Sequence, residues 1–547
     1  LGKNKLPKIT AIELENFQTI GKRTVIPIRD LTLMFGPNGA GKSAIFDALD
    51  LLKLILSDDW GTDCKKLKAF LDKWSRNVGK KNPSKSIGLG IQIFVDEDWS
   101  SQDMPYEIFS RLDLVHHSGI SSGGDYATDF LNKNLRFFIK FQDMGDKYTD
   151  WIISEMSISC DENPIFELKQ DSPENYPIAH IYKKDWLSFE TLDILSKEYK
   201  DQQYSGPVIT RTAPNEIGFV SSARSWFDRR YEGDFELEAA FFRLSQQIID
   251  FFKIFISTEL TDTVLVKASR TVPTIGESIS IIPGDKRSGA NGINPGYRLE
   301  WSPMLKVLET TINKSERHWT DMCELVAASL TSDRDEINDD WFDLSYLGRI
   351  NSLLREELFI ENGYQLTGEV FCVTPLLDVE ECTFENSKFY PKLVRLHLTD
   401  NHQRTLEIDD VGSGIGYVLP VLAALVNDDI ALIQQPELHL HPRLQSQLGE
   451  AIVRAIENKK NYRAFTLIET HSEHVLLRVM RLIRNAKSRE SASLSPITFE
   501  RVSILYFEPL PNGETQIKRL RLAPDGQLID RWPGGFFNER LKDIFDE

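Results

Sequence analysis

At 547 residues the chain exceeds what one ordinary hydrophobic core organises, so two to four structural units are expected, one threaded through another. Hydrophobic residues make up 41% and charged residues 27%, the balance of a globular protein, and no apolar run approaches the roughly 20 residues that span a bilayer, which excludes a membrane-spanning chain. A net charge of −18 excludes a uniformly basic nucleic-acid coat, so any DNA or RNA contact has to use a local patch.

The opening LGKNKLPKIT lacks the apolar core of a secretory signal and the Arg/Ser-rich look of a transit peptide, so a cytoplasmic location is expected. The cysteines, Cys64, Cys160, Cys323, Cys372 and Cys382, are scattered and form no C-x-x-C pair. Buried, inert thiols are expected rather than a disulfide framework or a thiolate zinc site.

In chain order, ITAIELENFQ (9–18) alternates like an edge strand, and LTLMF (31–35) is a short apolar run ending at glycine, as a buried strand does. GPNGAGKS, Gly36 to Ser43, fits G-x-x-x-x-G-K-[ST], and SAIFDALDLLKLIL (43–56) follows with helical apolar spacing. A phosphate-binding P-loop needs each part of this order. Around Asn38, Gly39 and Gly41 a backbone free of bulky side chains wraps closely enough to aim N–H groups at phosphates. Lys42 brings a compact positive charge to the terminal phosphates, and the Ser43 hydroxyl is a ligand for Mg²⁺. From Ala44 onward the helix start adds its own positive potential. ATP with Mg²⁺ is the expected ligand.

RNVGKKNPSK (76–85) reads as a basic surface loop, and IGLGIQIFV, LRFFIKFQ, DWIISEMSIS and PIFELKQ as an antiparallel meander reaching about residue 170. FELEAAFFRLSQQIIDFFKIFI (235–256) and the stretch 304–330 have i, i+3, i+4 apolar spacing without sustained heptads. A mainly helical, globular insertion over 171–365 is therefore expected between an N-terminal unit, 1–170, and a C-terminal unit, 366–547. The latter opens with the strand-like EVFCVTPLL and PKLVRLHL and then alternates strand and helix.

In that last part DDVGSGIGYVLPVLAAL (409–425) puts a Gly-rich turn before a helix, a phosphate-binding geometry in which Ser413 and Gly414 are the candidate contacts. A plain strand-helix turn is the competing reading. The apolar strand IALI leads into QQPELHLHP, and FTLIETHSEHVLLR (465–478) reads as a strand that ends at a histidine.

P-loop, glycine turn, strand with acids and strand with histidine, in this order, resemble the ABC-type ATPases. PELHLHP, THSEH and DGQLIDRWPGGFFNERLKDIF (525–545) resemble the RecF/SMC-like branch, which includes the overcoming-lysogenisation-defect nucleases and the ATPase subunit of Septu and related retron defence systems. The resemblance covers roughly 1–150 and 390–547. It implies an α/β fold, an ABC-type ATPase head with a P-loop core sheet and an antiparallel β subdomain, carrying the large helical insertion. It also implies head-to-tail homo-oligomers in which the glycine turn of one copy caps the nucleotide of another. Gly416 stands where the family has its signature serine, with Ser413 nearby.

By the same resemblance, the strand after IALI should end in an acid that orders the Mg²⁺ water shell, followed by a glutamate that polarises the attacking water. Gln434 and Gln435 hold those places, Gln434 at the metal position. An amide cannot take a proton, and general-base help is worth typically ~10²- to 10⁴-fold, so hydrolysis is expected to be slow or absent. Glu437 is the remaining acid of the motif. A slow switch relying on Glu437, a non-hydrolysing sensor, and a glutamate exchanged for glutamine to trap ATP all fit. His471 is the expected γ-phosphate sensor.

The implied partners are a separate HNH-type nuclease subunit and a reverse transcriptase with its nucleic acid product, under nucleotide control. The alternative is a RecF-like DNA-repair ATPase acting directly on DNA. A built-in nuclease is not expected, because the stretch after His471 has no D-x-D pair, and DRDEINDD (333–340) reads as a solvated acidic loop. A zinc site at His439/His441 or His471/His474 is not expected either, since neither pair has a third ligand. Arg478, Arg481 and Arg484, with Lys487 and Arg489 beyond, form a basic stripe that is either a solvated helix face or a phosphate-tracking patch.

Overall fold

A computed structural model describes residues 8–56, 69–71, 73, 86–95, 132–143, 151–169, 178–181, 208–209, 263–269, 279–282, 346–372, 392–408, 410–426, 430–459, 464–486 and 496–533. The helices read at 235–256 and 304–330, the loop 76–85 and the acidic stretch 333–340 lie outside the described residues, as do Cys64, Cys323 and Cys382.

Two large sheets organise the described chain. The first is the expected meander: β1 (Lys8–Glu15), β2 (Thr24–Pro27), β4 (Ser86–Val95), β5 (Lys133–Asp143), β6 (Trp151–Cys160), β7 (Asn163–Lys169), β8 (Ile178–Ile181) and β9 (Val208–Ile209), antiparallel in the order β2-β1-β4-β5-β6-β7-β8-β9. One face buries Ile12, Leu14, Ile87, Leu89, Ile91, Ile139 and Phe141. On the other, the fully buried carboxylate of Glu13 accepts from Arg136 and, at 2.8 Å, from Gln92. Arg23 adds a bond to the same carboxylate at 3.1 Å and lies 3.4 Å over the Phe138 ring. Burying an acid is tolerable because two guanidinium groups and an amide surround it. Cys160, on β6, is half-buried.

The second sheet is built from β10 (Val264–Val266), β15 (Ala431–Gln434), β16 (Thr466–Glu469), β3 (Leu31–Phe35), β17 (Val502–Pro509) and β18 (Thr515–Leu520), in that order. All neighbours are parallel except β17 and β18. Its central strands are continuous buried runs, as strands covered on both faces must be; all five residues of β3 and all four of β16 are buried. Alternation divides the layers. Met34, Leu432, Leu467 and Leu505 face the helix α1 (Ala44–Leu56) and the meander, while Leu31, Leu33, Phe35, Ile433 and Ile468 face the other side. That side carries α3 (Ser413–Val426), α4 (Pro442–Glu457) and α5 (Glu473–Arg484).

A third, small sheet pairs β13 (Lys392–Thr399) with β11 (Ile279–Ile282), β12 (Gln365–Cys372) and β14 (Thr405–Leu406). Next to it α2 (Tyr346–Ser352) runs into a π-helical turn, Leu353–Leu358. Within 171–365, therefore, β8 and β9 carry the meander past residue 170, β10 extends the second sheet and β11 the third. In the C-terminal part Trp532 packs edge-on against Phe35 at 5.4 Å and near Tyr506 at 6.2 Å, seating that segment against the last residue of β3. Among the described residues no helix is long and apolar enough to cross a membrane.

The result is an α/β fold: a parallel core sheet with the P-loop on its central strand, and an antiparallel β subdomain.

Candidate functional site: the C-terminal ends of the core strands

Gly36, Gly39 and Gly41 of the P-loop all have positive φ, and at two of them a side chain would also collide. Gly36 has φ 147°, and a Cβ there would stand 2.5 Å from the Phe507 carbonyl; Gly41 has φ 77°, and a Cβ there would meet the Thr19 hydroxyl at 2.1 Å. Thr19 and Thr515 support the loop from behind, with the Thr515 hydroxyl donating to the Ala40 carbonyl at 3.0 Å and sharing a hydrogen bond with the Thr19 hydroxyl at 2.9 Å. Asn38 and Gly39 are exposed at the tip, and Ala44 is buried at the first position of α1.

Lys42 is 3% exposed, and its ammonium donates to the carbonyls of Gly36 and Pro37, each at 3.0 Å. Glu469 Oε1 stands 3.6 Å away. Burial pulls the Lys42 pKa down, and the charges of Glu469 and Glu437 oppose that shift. The Ser43 hydroxyl donates to Glu469 Oε2 at 2.9 Å.

Parallel pairing puts the neighbouring strand ends level: Gln434 is opposite Glu469, and Glu469 is opposite Met34. Gln434 turns outward, its Oε1 accepting the Ala268 N–H at 3.2 Å beyond β10. Gln435 is in the left-handed region at φ 45°, its N–H bonded to the Glu469 carbonyl at 2.7 Å. Glu437 accepts through both oxygens, from the Thr470 hydroxyl at 2.8 Å and from the His471 N–H at 2.7 Å. The Thr470 hydroxyl accepts in turn from the Ser472 N–H at 3.0 Å, while Ser472 caps α5 through Val475 and donates to Gln445 at 2.7 Å. Burial, together with the Lys42 charge, lowers the pKa of His471.

The glycine turn meets this loop within the same chain. A Cβ on Gly414 would lie 3.1 Å from the His439 carbonyl and 3.2 Å from Leu440, and the Tyr417 ring stacks on His439 at 4.3 Å. A side chain at 414 would therefore be tight against this loop. Gly412 and Ser413 are exposed, and a Cβ on Gly412 would meet nothing within 4 Å.

A family model described as an AAA ATPase domain matches residues 8–476. The chain belongs to the AAA ATPase domain family. A second model, described as a protein of unknown function (DUF3696), matches residues 497–546. No curated protein matches significantly. Among solved structures, an Smc head bound to the C-winged helix domain of ScpA matches at 12% identity and TM-score 0.39, over 94% of this chain and 98% of that one. The SMC head domain from Thermotoga maritima matches at 9% identity and TM-score 0.33, over 94% and 100%. An Smc head with a coiled coil and joint from Pyrococcus yayanosii matches at 10% and 0.34, over 95% and 98%.

As a member of this family, with a P-loop on the central strand of a parallel sheet, the chain is an ATPase. Membership implies a bound nucleotide, and the donors suit one. Lys42 is held at the mouth of the loop, and a hydroxyl and a carboxylate, hard oxygen donors, meet at Ser43 and Glu469. The sheet brings together the P-loop, Gln434 to Glu437 and His471; the start of α3 packs beside the His439–Leu440 loop.

Glu469, Thr470 and Gln445 were not singled out by sequence. The usable signal was an acid ending an otherwise apolar strand, directly before the histidine motif. Among the described residues no three potential ligands from His, Cys, Asp and Glu gather for a metal; His439 stacks on Tyr417, and His441 accepts from the Arg443 N–H at the start of α4. The basic stripe is divided: Arg478 pairs with Glu450 at 3.1 Å, Arg484 donates to the Asp525 carbonyl at 3.1 Å, and Arg481 is exposed. Lys487 and Arg489 lie outside the described residues.

Proposed function

We propose that this ATPase is the nucleotide-dependent regulatory subunit of a cytoplasmic anti-phage defence complex, holding ATP for long periods and controlling a separate HNH-type nuclease. Asn38, Gly39, Gly41, Lys42, Ser43 and Ala44 bind the nucleotide and its Mg²⁺. Ser413 and Gly414 of a second copy close over it in a head-to-tail homo-oligomer, and His471 reads the γ-phosphate.

The observation that carries this reading is the state of the groups that would activate water. Gln434 and Gln435 are neutral amides, and both oxygens of Glu437 are engaged by Thr470 and His471. A carboxylate used in this way holds the switch turn in place and is poorly disposed to accept a proton, so turnover is slow and the bound state lasts. A long-lived ATP state suits a sensor. The nuclease, and a reverse transcriptase with its nucleic acid product, follow from the resemblance of PELHLHP and THSEH to Septu and retron ATPases. Among the described residues of the basic stripe, Arg478 pairs with Glu450 and Arg484 with the Asp525 carbonyl, which favours this reading over a RecF-like repair ATPase acting directly on DNA.

The test is retention of labelled ATP by the purified chain, alone and co-expressed with an HNH-type nuclease. Wild type should hold ATP with little product and co-purify with the nuclease. Lys42→Ala should weaken ATP binding by roughly 10- to 100-fold, the loss of about 1.5–3 kcal/mol from charged hydrogen bonds. Fast multiple-turnover hydrolysis, or unchanged binding in Lys42→Ala, sinks the reading.

A further inference from the structure

We propose that Glu469, at the end of β16, is the acid that orders the divalent cation and its water shell beside Ser43, where Gln434 at the end of β15 offers only a neutral amide. The proposal rests on the nucleotide reading above and adds a residue to it.

Three observations converge. The Ser43 hydroxyl, the P-loop group suited to a hard cation, is bonded to Glu469 Oε2 at 2.9 Å. In the sheet Glu469 stands level with Gln434 but one strand closer to the P-loop strand, directly opposite Met34. An acid there reaches the same region that an acid at 434 would approach from one strand farther away. Gln434 meanwhile accepts the Ala268 N–H at 3.2 Å.

Burial supplies the energetic argument. Glu469 is 6% exposed, on a strand whose other members, Thr466, Leu467 and Ile468, are fully buried. An isolated carboxylate in such a place costs several kcal/mol, so it needs a positive partner. Lys42 at 3.6 Å supplies one in the present arrangement. Lys42 is also the group that turns to phosphate when nucleotide binds, and its departure would leave Glu469 short of positive charge at the moment Mg²⁺ arrives with the nucleotide. Exchange of one cation for the other keeps the acid neutralised throughout. Mg²⁺ suits the exchange because it uses few protein oxygens and keeps several waters, which a carboxylate can hold by hydrogen bonds.

The competing role is a counter-ion for Lys42 and nothing more. Manganese titration followed by electron paramagnetic resonance separates the two, using ATP-loaded full-length protein. Glu469→Gln should weaken Mn²⁺ affinity by roughly 10- to 100-fold while ATP binding in EDTA is unchanged or stronger. Adding Gln434→Glu to that variant should restore Mn²⁺ binding, because it returns an acid to the adjacent strand end at the same level. Should Glu469→Gln fold poorly, Glu469→Asp keeps the charge, withdraws the carboxylate by one methylene, and should show a smaller loss. Unchanged Mn²⁺ affinity in variants that still bind ATP overturns the proposal and leaves the nucleotide reading standing. Failure of wild type to bind ATP overturns both.

Discussion

Glu437 accepts the His471 N–H at 2.7 Å, so the loop leaving β15 and the turn leaving β16 move as one piece. The Thr470 hydroxyl closes the same ring by donating to Glu437 and accepting from Ser472.

Thr470→Val keeps the shape and removes that hydroxyl, stranding a buried carboxylate oxygen and a buried N–H. The cost should be about 1–3 kcal/mol, concentrated locally. Hydrogen exchange read by mass spectrometry should show lost protection at 470–473 with the β17–β18 hairpin unchanged. Protection equal to wild type would mean that the hydroxyl does not join the two loops.

His471 sets a pH dependence. Its imidazole titrates below the ordinary value of about 6.5, through burial first and the Lys42 charge second. Below that value the unfolded chain therefore binds a proton that the folded chain refuses, and stability falls as the pH drops from about 6.5 toward the lowered folded value. His471→Gln should flatten the urea midpoint in that window. A slope identical in both proteins would remove His471 as its source.

The glycine turn separates packing from assembly. Gly414→Ala presses on the His439 carbonyl and Leu440, so it should lower stability by about 1–3 kcal/mol, as overpacked sites do. Gly412→Glu meets open space and should leave stability intact while weakening ATP-dependent self-association, measured by light scattering. Assembly that survives Gly412→Glu places the contact between copies elsewhere on the surface.

The P-loop was legible because strand, glycines, Lys42, Ser43 and helix are contiguous, and short-range chemistry dictates their order. The same holds for α3 and for the strands of the meander, whose alternation or apolar runs declare themselves within a few residues. Glu469 and Ser43 are 426 positions apart, and nothing local to either reveals the bond. β10 escaped notice because three residues carry no periodicity, and its place at the sheet edge comes from pairing with β15. The approach of Gly414 to the His439 carbonyl was not legible either, because a glycine that packing favours and one that phosphate favours read alike in sequence.

The strand that carries the P-loop is hydrogen-bonded on one side to residues 466–469 and on the other to 502–506. During synthesis, at about 5–20 residues per second, LTLMF leaves the ribosome on the order of 20–90 s before its first partner strand. Such delayed long-range pairing is slow and exposes apolar backbone to wrong partners. A nascent chain therefore has its phosphate loop early but cannot seat it in the core sheet until residues 466–469 and 502–506 have been made, which guards against nucleotide capture before then.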